Sequence, residues 1–189
     1  MRISGGKWRG RKLRPLKELT IRPTADRAKS ALFNILCNSP MYTKWRVLNS
    51  VVLDAFAGTG ALGLECLSRG AASALFIDND PESITLLDDN IKLLGAQTTT
   101  KVLHKDATKP GPPLIKPNLI FLDPPYNTNL AESALSALLS GGWIPLHTLV
   151  IVETSGKTIL RIPYSLQKID FRKYGNTGFW FLTKANSQS

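Results

Sequence analysis

An apolar run, a glycine-rich turn and a helical pattern follow one another from residue 51, and few folds accommodate that order. Val51-Val52-Leu53 reads as a short buried strand. It passes directly into Asp54-Ala55-Phe56-Ala57-Gly58-Thr59-Gly60-Ala61-Leu62-Gly63. Leu64 and Leu67 then recur at helical spacing, with Gly70 placed as the C-cap. Glycines let a backbone approach a ligand closely, and a helix N-terminus presents unpaired N–H groups. The unit is a nucleotide-binding turn at the edge of an α/β sheet.

The same alternation runs through the rest of the chain. Ala74–Ile77, Thr100–Leu103, Asn118–Leu122 and Leu149–Glu153 read as further strands. Between the first two, Asp80 caps a helix that has Pro81 at its first position and Glu82 in its first turn. Ile84, Leu87, Ile91 and Leu94 form its buried stripe, and Gly95 ends it. A helical pattern also covers 129–139. Leu166–Tyr174 and Phe179–Thr183 are strand-like and separated by Gly175-Asn176-Thr177-Gly178, a hairpin signal longer than a two-residue turn. Near the start, Arg22-Pro23-Thr24 opens a helix with Thr24 as N-cap, and Asn38-Ser39-Pro40 closes it. These units predict a doubly wound, mostly parallel seven-stranded α/β sheet with an antiparallel edge, preceded by an N-terminal hairpin or arm and a helix. The expected division is a basic arm and helix over 1–40 and the main domain over 41–189.

Gly58, Gly60 and Gly63 satisfy G-x-G-x-x-G, and Asp78 stands 20 residues beyond Gly58 at the end of the next strand. That spacing suits a ribose hydroxyl pair, whether of NAD or of S-adenosylmethionine. Asp54 favours the second. A carboxylate close to the turn repels a pyrophosphate but welcomes the ammonium of a methionine end. Asp106 follows the third strand and is a candidate acceptor for an adenine amino group, with a plain loop carboxylate as the equal alternative.

The strand at Asn118–Leu122 stops abruptly at Asp123-Pro124-Pro125-Tyr126. Two prolines cannot continue a ladder, so a carboxylate, two rigid carbonyls and a phenol ring are left where α/β sheets bind ligands. A rigid acceptor pair beside an aromatic face suits a planar base with an exocyclic amine.

Charge supplies the partner class. The 189 residues carry a formal charge of +10. Ten bases and two acids lie within residues 1–30, so the remainder is close to neutral. Such asymmetry points to a polyanion, above all nucleic acid. Trp8 among Lys7, Arg9, Arg11 and Lys12 places a stacking ring inside a cationic patch, the composition of an RNA-contacting arm, with a solvated tail and Trp8 packed back on the domain as the weaker alternative. Arg22, Thr24 and Arg27 flank the following helix start as candidate phosphate or substrate contacts. Cys37 and Cys66 have no metal-ligand spacing and read as core residues in a reducing cytoplasm. No run has the length of a membrane span, and no metal is required.

The set Asp54, Gly58-Thr59-Gly60, Asp78, Asp106 and Asp123-Pro124-Pro125-Tyr126 resembles the class I S-adenosylmethionine-dependent amino-methyltransferases. The flanks narrow the likeness. Ile3-Ser4-Gly5-Gly6, Arg9-Gly10-Arg11, Arg22-Pro23-Thr24, Arg27, Ala31–Leu36 and Tyr174-Gly175-Asn176-Thr177 resemble the RsmD family, bacterial 16S rRNA guanine-N2 methyltransferases. Pro117-Asn118 departs from that pattern. The resemblance implies that Asp54, Phe56, Gly58 and Gly60 line the methionine side of S-adenosylmethionine. It places Asp78 on the ribose and Asn79, Asp106 and Ala107 by the adenine. It implies that Asp123 and the Pro124 carbonyl accept from guanine N2, beside Pro125, and that Tyr126 stacks on the base. The expectation is a cytoplasmic monomer acting on 16S rRNA in an assembling 30S particle, with an amino group of another RNA or of DNA as the alternative; a NAD-dependent oxidoreductase lacks a convincing hydride-transfer acid pair.

Overall fold

Each apolar run becomes one strand of a single seven-stranded sheet, because runs without alternation bury both faces only beneath helices. The computed structural model describes residues 1–15, 23–126 and 128–185, and of residues 23–26 the backbone only. The strands are β1 (Val51–Ala55), β2 (Ser73–Asp78), β3 (Thr100–His104), β4 (Leu119–Leu122), β5 (Leu149–Ser155), β6 (Leu166–Tyr174) and β7 (Thr177–Lys184). Their order is β3-β2-β1-β4-β5-β7-β6. The first five are parallel, and β7 pairs antiparallel with both β5 and β6.

The helices are α1 (Pro23–Asn38), α2 (Ala61–Ser68), α3 (Pro81–Leu94) and α4 (Leu130–Ser140). One sheet face packs with α1, α2 and α3 around Leu32, Phe33, Leu64, Phe76, Leu87 and Phe121. The other packs with α4 around Leu53, Ile120, Leu135, Trp143 and Val150. The chain winds outward from β1 through β2 to β3, then returns to β4 on β1's other side. The winding reverses between β1 and β4, which opens a crevice at their carboxyl ends.

Local chemistry fixes the ends of α3 where they were expected, and three other local expectations are corrected. Asp80 Oδ2 accepts from the Ser83 amide at 2.9 Å and its hydroxyl at 2.7 Å. Gly95 takes φ +66 and closes α3. Thr24 is not an N-cap, because α1 starts at Pro23, whose fixed φ suits a first helical position. The β6–β7 connection is shorter than the four-residue spacer predicted. Thr177 and Gly178 pair within the sheet, and Gly175, at φ +58, leaves Gly175-Asn176 as the turn. Gly70 lies just past the end of α2 at φ +95, the C-cap being Arg69.

The basic N-terminal stretch is a hairpin, closed by an Arg2–Lys12 bridge. Ile3 and Leu13 are buried in the same core as α1 to α3. Glu65, fully buried on α2, accepts from the Ser4 amide at 2.8 Å, the Ser4 hydroxyl at 2.7 Å and the Gly5 amide at 2.9 Å. It also meets Arg69 at 2.8 Å and Lys29 at 3.7 Å. At Gly6, a Cβ would lie 1.8 Å from the Ser68 carbonyl oxygen, so only glycine permits this approach. Lys7, Arg9, Arg11 and Lys12 stay exposed on the pinned hairpin.

Candidate active site

Two turns meet at the crevice between β1 and β4. Ala55 lies beside Leu122, so the strands end level and release Phe56–Gly60 and Asp123–Tyr126 at one edge. The first turn needs a left-handed backbone at Phe56 (φ +64), Gly58 (φ +53) and Gly60 (φ +77). Asp78 Oδ2 accepts from the Gly58 amide at 2.7 Å, and its Oδ1 accepts from the Asp80 amide at 3.0 Å. Asp54 Oδ2 accepts from the Gly63 amide at 2.8 Å. Gly63 also lets α2 lie against β2, since a Cβ there would strike the Phe76 ring. A Cβ at Gly58 would meet nothing within 4 Å, so the turn opens onto space for a ligand.

Of the candidate cofactor carboxylates, Asp54 is the most deeply placed, 1% exposed beneath the turn. Burial pushes its carboxyl up to about 7, against the lowering effect of the Gly63 amide, and Asp78 adds repulsion. Asp78 is buried, Phe56 half-buried and Asn79 exposed at the end of β2. The Asn79 carbonyl lies 3.1 Å from His104 Nε2. Asp106 Oδ1 accepts from the Thr108 hydroxyl and amide, which hold its pKa down. Ala107 is buried in the core beside it.

At the second turn, Pro124 is buried, while Asp123, Pro125 and Tyr126 face solvent. Among the described residues, no protein donor reaches the Asp123 carboxylate. Crowding by protein nonetheless raises its pKa well above the usual carboxylate range, and Glu153 and Asp54 reinforce this. The Tyr126 hydroxyl donates to Glu153 Oε1 at 2.7 Å and lies 3.3 Å from Thr177 Oγ1. Burial raises the Glu153 carboxyl too, opposed by that hydrogen bond.

Sequence reasoning missed Glu153 and Thr177 as site residues. Leu122 pairs with Val152, so Glu153 stands level with Asp123 on the neighbouring strand. The available signal was an acid at the end of an apolar run, the pattern that singled out Asp123. Five carboxylates, Asp54, Asp78, Asp106, Asp123 and Glu153, thus gather at one sheet edge. They suit a cationic ligand and oppose a pyrophosphate. The site residues therefore fit S-adenosylmethionine.

The candidate nucleic-acid contacts form a separate group. Trp8 is half-buried against the core, with Lys7 Nζ 4.2 Å from its ring centre. Its backbone amide donates to Ser68 Oγ at 2.9 Å. Arg27 is exposed on α1. Arg22 and the Thr24 side chain lie outside the described residues.

Comparison with known proteins agrees with this architecture. The family model described as conserved hypothetical protein 95 matches residues 1–183. The chain is 38% identical over 160 residues to ribosomal RNA small subunit methyltransferase D of Haemophilus influenzae, covering 82% of this chain and 78% of that protein. It is 38% identical over 158 residues to the Escherichia coli protein of that name, covering 82% and 74%. The solved E. coli protein yhhF is 32% identical and superposes with TM-score 0.81 over 97% of each chain. The Thermus thermophilus 16S rRNA N2 methyltransferase RsmC, solved with AdoMet and guanosine, shares the fold. Its TM-score is 0.65 at 17% identity, over 90% of this chain and 45% of that one.

Proposed function

The chain belongs to the conserved hypothetical protein 95 or RsmD family, and from that premise we propose that it methylates the exocyclic N2 amine of a guanine in small-subunit rRNA. The methyl donor is S-adenosylmethionine, which supplies an electrophilic methyl group on a sulfonium. The observation that carries the reading is the meeting of the open Gly58 turn with Asp123 and Pro124 at the β1–β4 crevice. The names of the relatives support rRNA as the substrate class.

In this reading Gly58 and Gly60 give the donor's methionine end close access, above Asp54. Asp78 serves the ribose, while Asn79, Asp106 and Ala107 border the adenine. The guanine amine is a poor nucleophile because its lone pair is conjugated with the ring. Asp123 and the Pro124 carbonyl accept its two N–H groups, favour a pyramidal nitrogen and direct the lone pair at the methyl. Nitrogen–carbon bond formation accompanies carbon–sulfur cleavage, and the nitrogen then releases a proton toward Asp123. Positioning and electrostatics supply most of the acceleration. Tyr126 offers its ring to the unpaired or flipped-out base.

The exposed Lys7, Arg9, Arg11 and Lys12 of the hairpin, with Trp8, Arg22, Thr24 and Arg27, form the proposed RNA-contacting part of residues 1–40. The remaining chain, 41–189, is the methyltransferase domain. A monomer working in the cytoplasm on an assembling 30S particle fits this assignment. No helix among the described residues is long and apolar enough to cross a membrane.

Labelled methyl transfer to small-subunit rRNA and to 30S particles lacking the mark tests the proposal. N2-methylguanosine after digestion is the expected product. Methylated adenine or cytosine would retain amino-group transfer and overturn the guanine assignment. The comparison of free rRNA with particles identifies the stage of assembly.

A further inference from the structure

A second concentration of positive charge lies near the other end of the chain. Residues 156–175 contain Lys157, Arg161, Lys168, Arg172 and Lys173 against Asp170 alone among acids. Asp170 pairs with Arg172 at 2.8 Å, whereas neither Lys168 nor Lys173 has an ion-pair partner among the described residues. Both lysines are exposed on β6, the terminal strand of the sheet.

Register places them around an aromatic ring. Lys168 lies opposite Leu182, Phe171 opposite Trp180 and Lys173 opposite Gly178. Trp180 and Leu182 face the α4 side of the sheet. The irregularity between Lys168 and Asp170 brings Lys168 onto the same face as Phe171 and Lys173. Phe171 is half-buried and packs on Trp180 with ring centres 4.6 Å apart. Its ring also covers Gly178, where a Cβ would lie 2.9 Å away. Lys168 Nζ is 5.5 Å from the Trp180 ring centre.

This surface joins the site already described. β6 is parallel to β5, so Tyr174 and Ser155 end at the same sheet edge through Thr177. Thr177 is 3.3 Å from the Tyr126 hydroxyl, and Trp180 Nε1 donates to Thr154 Oγ1, next to Glu153. The N-terminal hairpin instead packs on α2, across the site.

We propose that the α4-side face of the β6–β7 hairpin is a second RNA-contact surface, where a nucleotide flanking the target stacks on Phe171 between Lys168 and Lys173. It rests on the RNA reading given above. Lysines on a terminal strand also discourage strand addition, but edge protection requires neither a shared face nor an aromatic ring between them. Cationic side chains tracking a backbone beside a stacking ring are what a single strand uses.

The test measures RNA KM, kcat and cofactor affinity for three variants, with unmarked 30S particles and free small-subunit rRNA as substrates. Phe171→Leu keeps an apolar contact with Trp180 but removes the aromatic plane. Lys168→Glu/Lys173→Glu reverses two exposed charges, and Lys7→Glu/Arg9→Glu/Arg11→Glu serves as the hairpin control. The expected result is an RNA KM raised about 10-fold by Phe171→Leu, and more by the charge reversal, on at least one substrate. Cofactor affinity and kcat at saturating RNA stay within about twofold. An RNA KM unchanged in the Phe171 and lysine variants, but raised in the hairpin control, overturns the second surface alone. No RNA transfer by the wild-type chain, with cofactor bound, overturns the RNA reading itself.

Discussion

The Tyr126 hydroxyl donates to Glu153 Oε1 at 2.7 Å, tying the aromatic ring that follows β4 to the carboxyl end of β5. The bond orients the ring beside Asp123 and lowers the Glu153 pKa against the effect of burial. Tyr126→Phe keeps the stacking surface and is expected to reduce kcat about 10-fold, through loss of a hydrogen bond to a charged group. Tyr126→Ala also removes the ring and should cost about 1–3 kcal/mol of base stacking. Methyl-transfer kinetics separate the two. Equal activities for Tyr126→Phe and wild type would remove the orienting role.

In the proposed mechanism Asp123 can take the amine's proton only when ionised, so its raised pKa moves the acidic limb of the rate profile upward. Activity should therefore rise with pH through a midpoint above the ordinary carboxylate range. Glu153→Gln removes a neighbouring negative charge, so that midpoint should move to lower pH. Asp123→Ala should lose nearly all turnover while cofactor binding persists. Single-turnover rates across pH, with cofactor affinity measured alongside, check all three statements. A midpoint that stays put in Glu153→Gln contradicts the coupling.

Asp54 links the turn to stability. Its folded pKa of about 7 exceeds the unfolded value, so the folded chain binds the extra proton between those values. Stability from this group is fully present below the unfolded pKa and declines as pH rises through about 7. Asp54→Asn retains an oxygen for the Gly63 amide and removes the titration. Thermal unfolding should show the variant gaining on wild type between about pH 5 and pH 8. A pH-independent difference would falsify the assignment.

Glu65 fastens the basic hairpin to α2 while facing Arg69 and Lys29. Glu65→Ala leaves those cations and the Ser4 and Gly5 amides without their carboxylate. The expected loss is about 3–5 kcal/mol of stability, the range for breaking a buried ion pair from one side. Denaturant unfolding measures it, and proteolysis should cut first in the released hairpin. A loss under about 1 kcal/mol is what a surface pair would give.

Asn90 joins the hairpin's exit to the glycine turn. Its Oδ1 accepts from the Arg14 amide at 2.8 Å, and its Nδ2 donates to the Thr59 carbonyl at 3.0 Å. Asn90→Ala strands the buried Thr59 carbonyl and the part-buried Arg14 amide at about 1–3 kcal/mol and loosens the turn. Calorimetry should show about 10-fold weaker cofactor binding. Unchanged affinity in a folded variant would confine Asn90 to holding the hairpin.

The sequence by itself determined what short-range chemistry controls. Glycines permit the left-handed turn at 58–60, prolines end β4 after Leu122, and Asp80 with Pro81 starts α3. Apolar runs alternating with helical stripes specified the parallel sheet, and charge counting exposed the basic hairpin. Tertiary structure decided which side chains meet across long intervals. Strand order brought Glu153 to Tyr126, 27 residues away, and α2 brought Glu65 to Ser4 across 61. Asn90 reaches Arg14 across 76. A buried polar side chain must find a partner, but periodicity reports only which face it occupies. The partner's identity depends on strand order and register, which the packed sheet alone supplies.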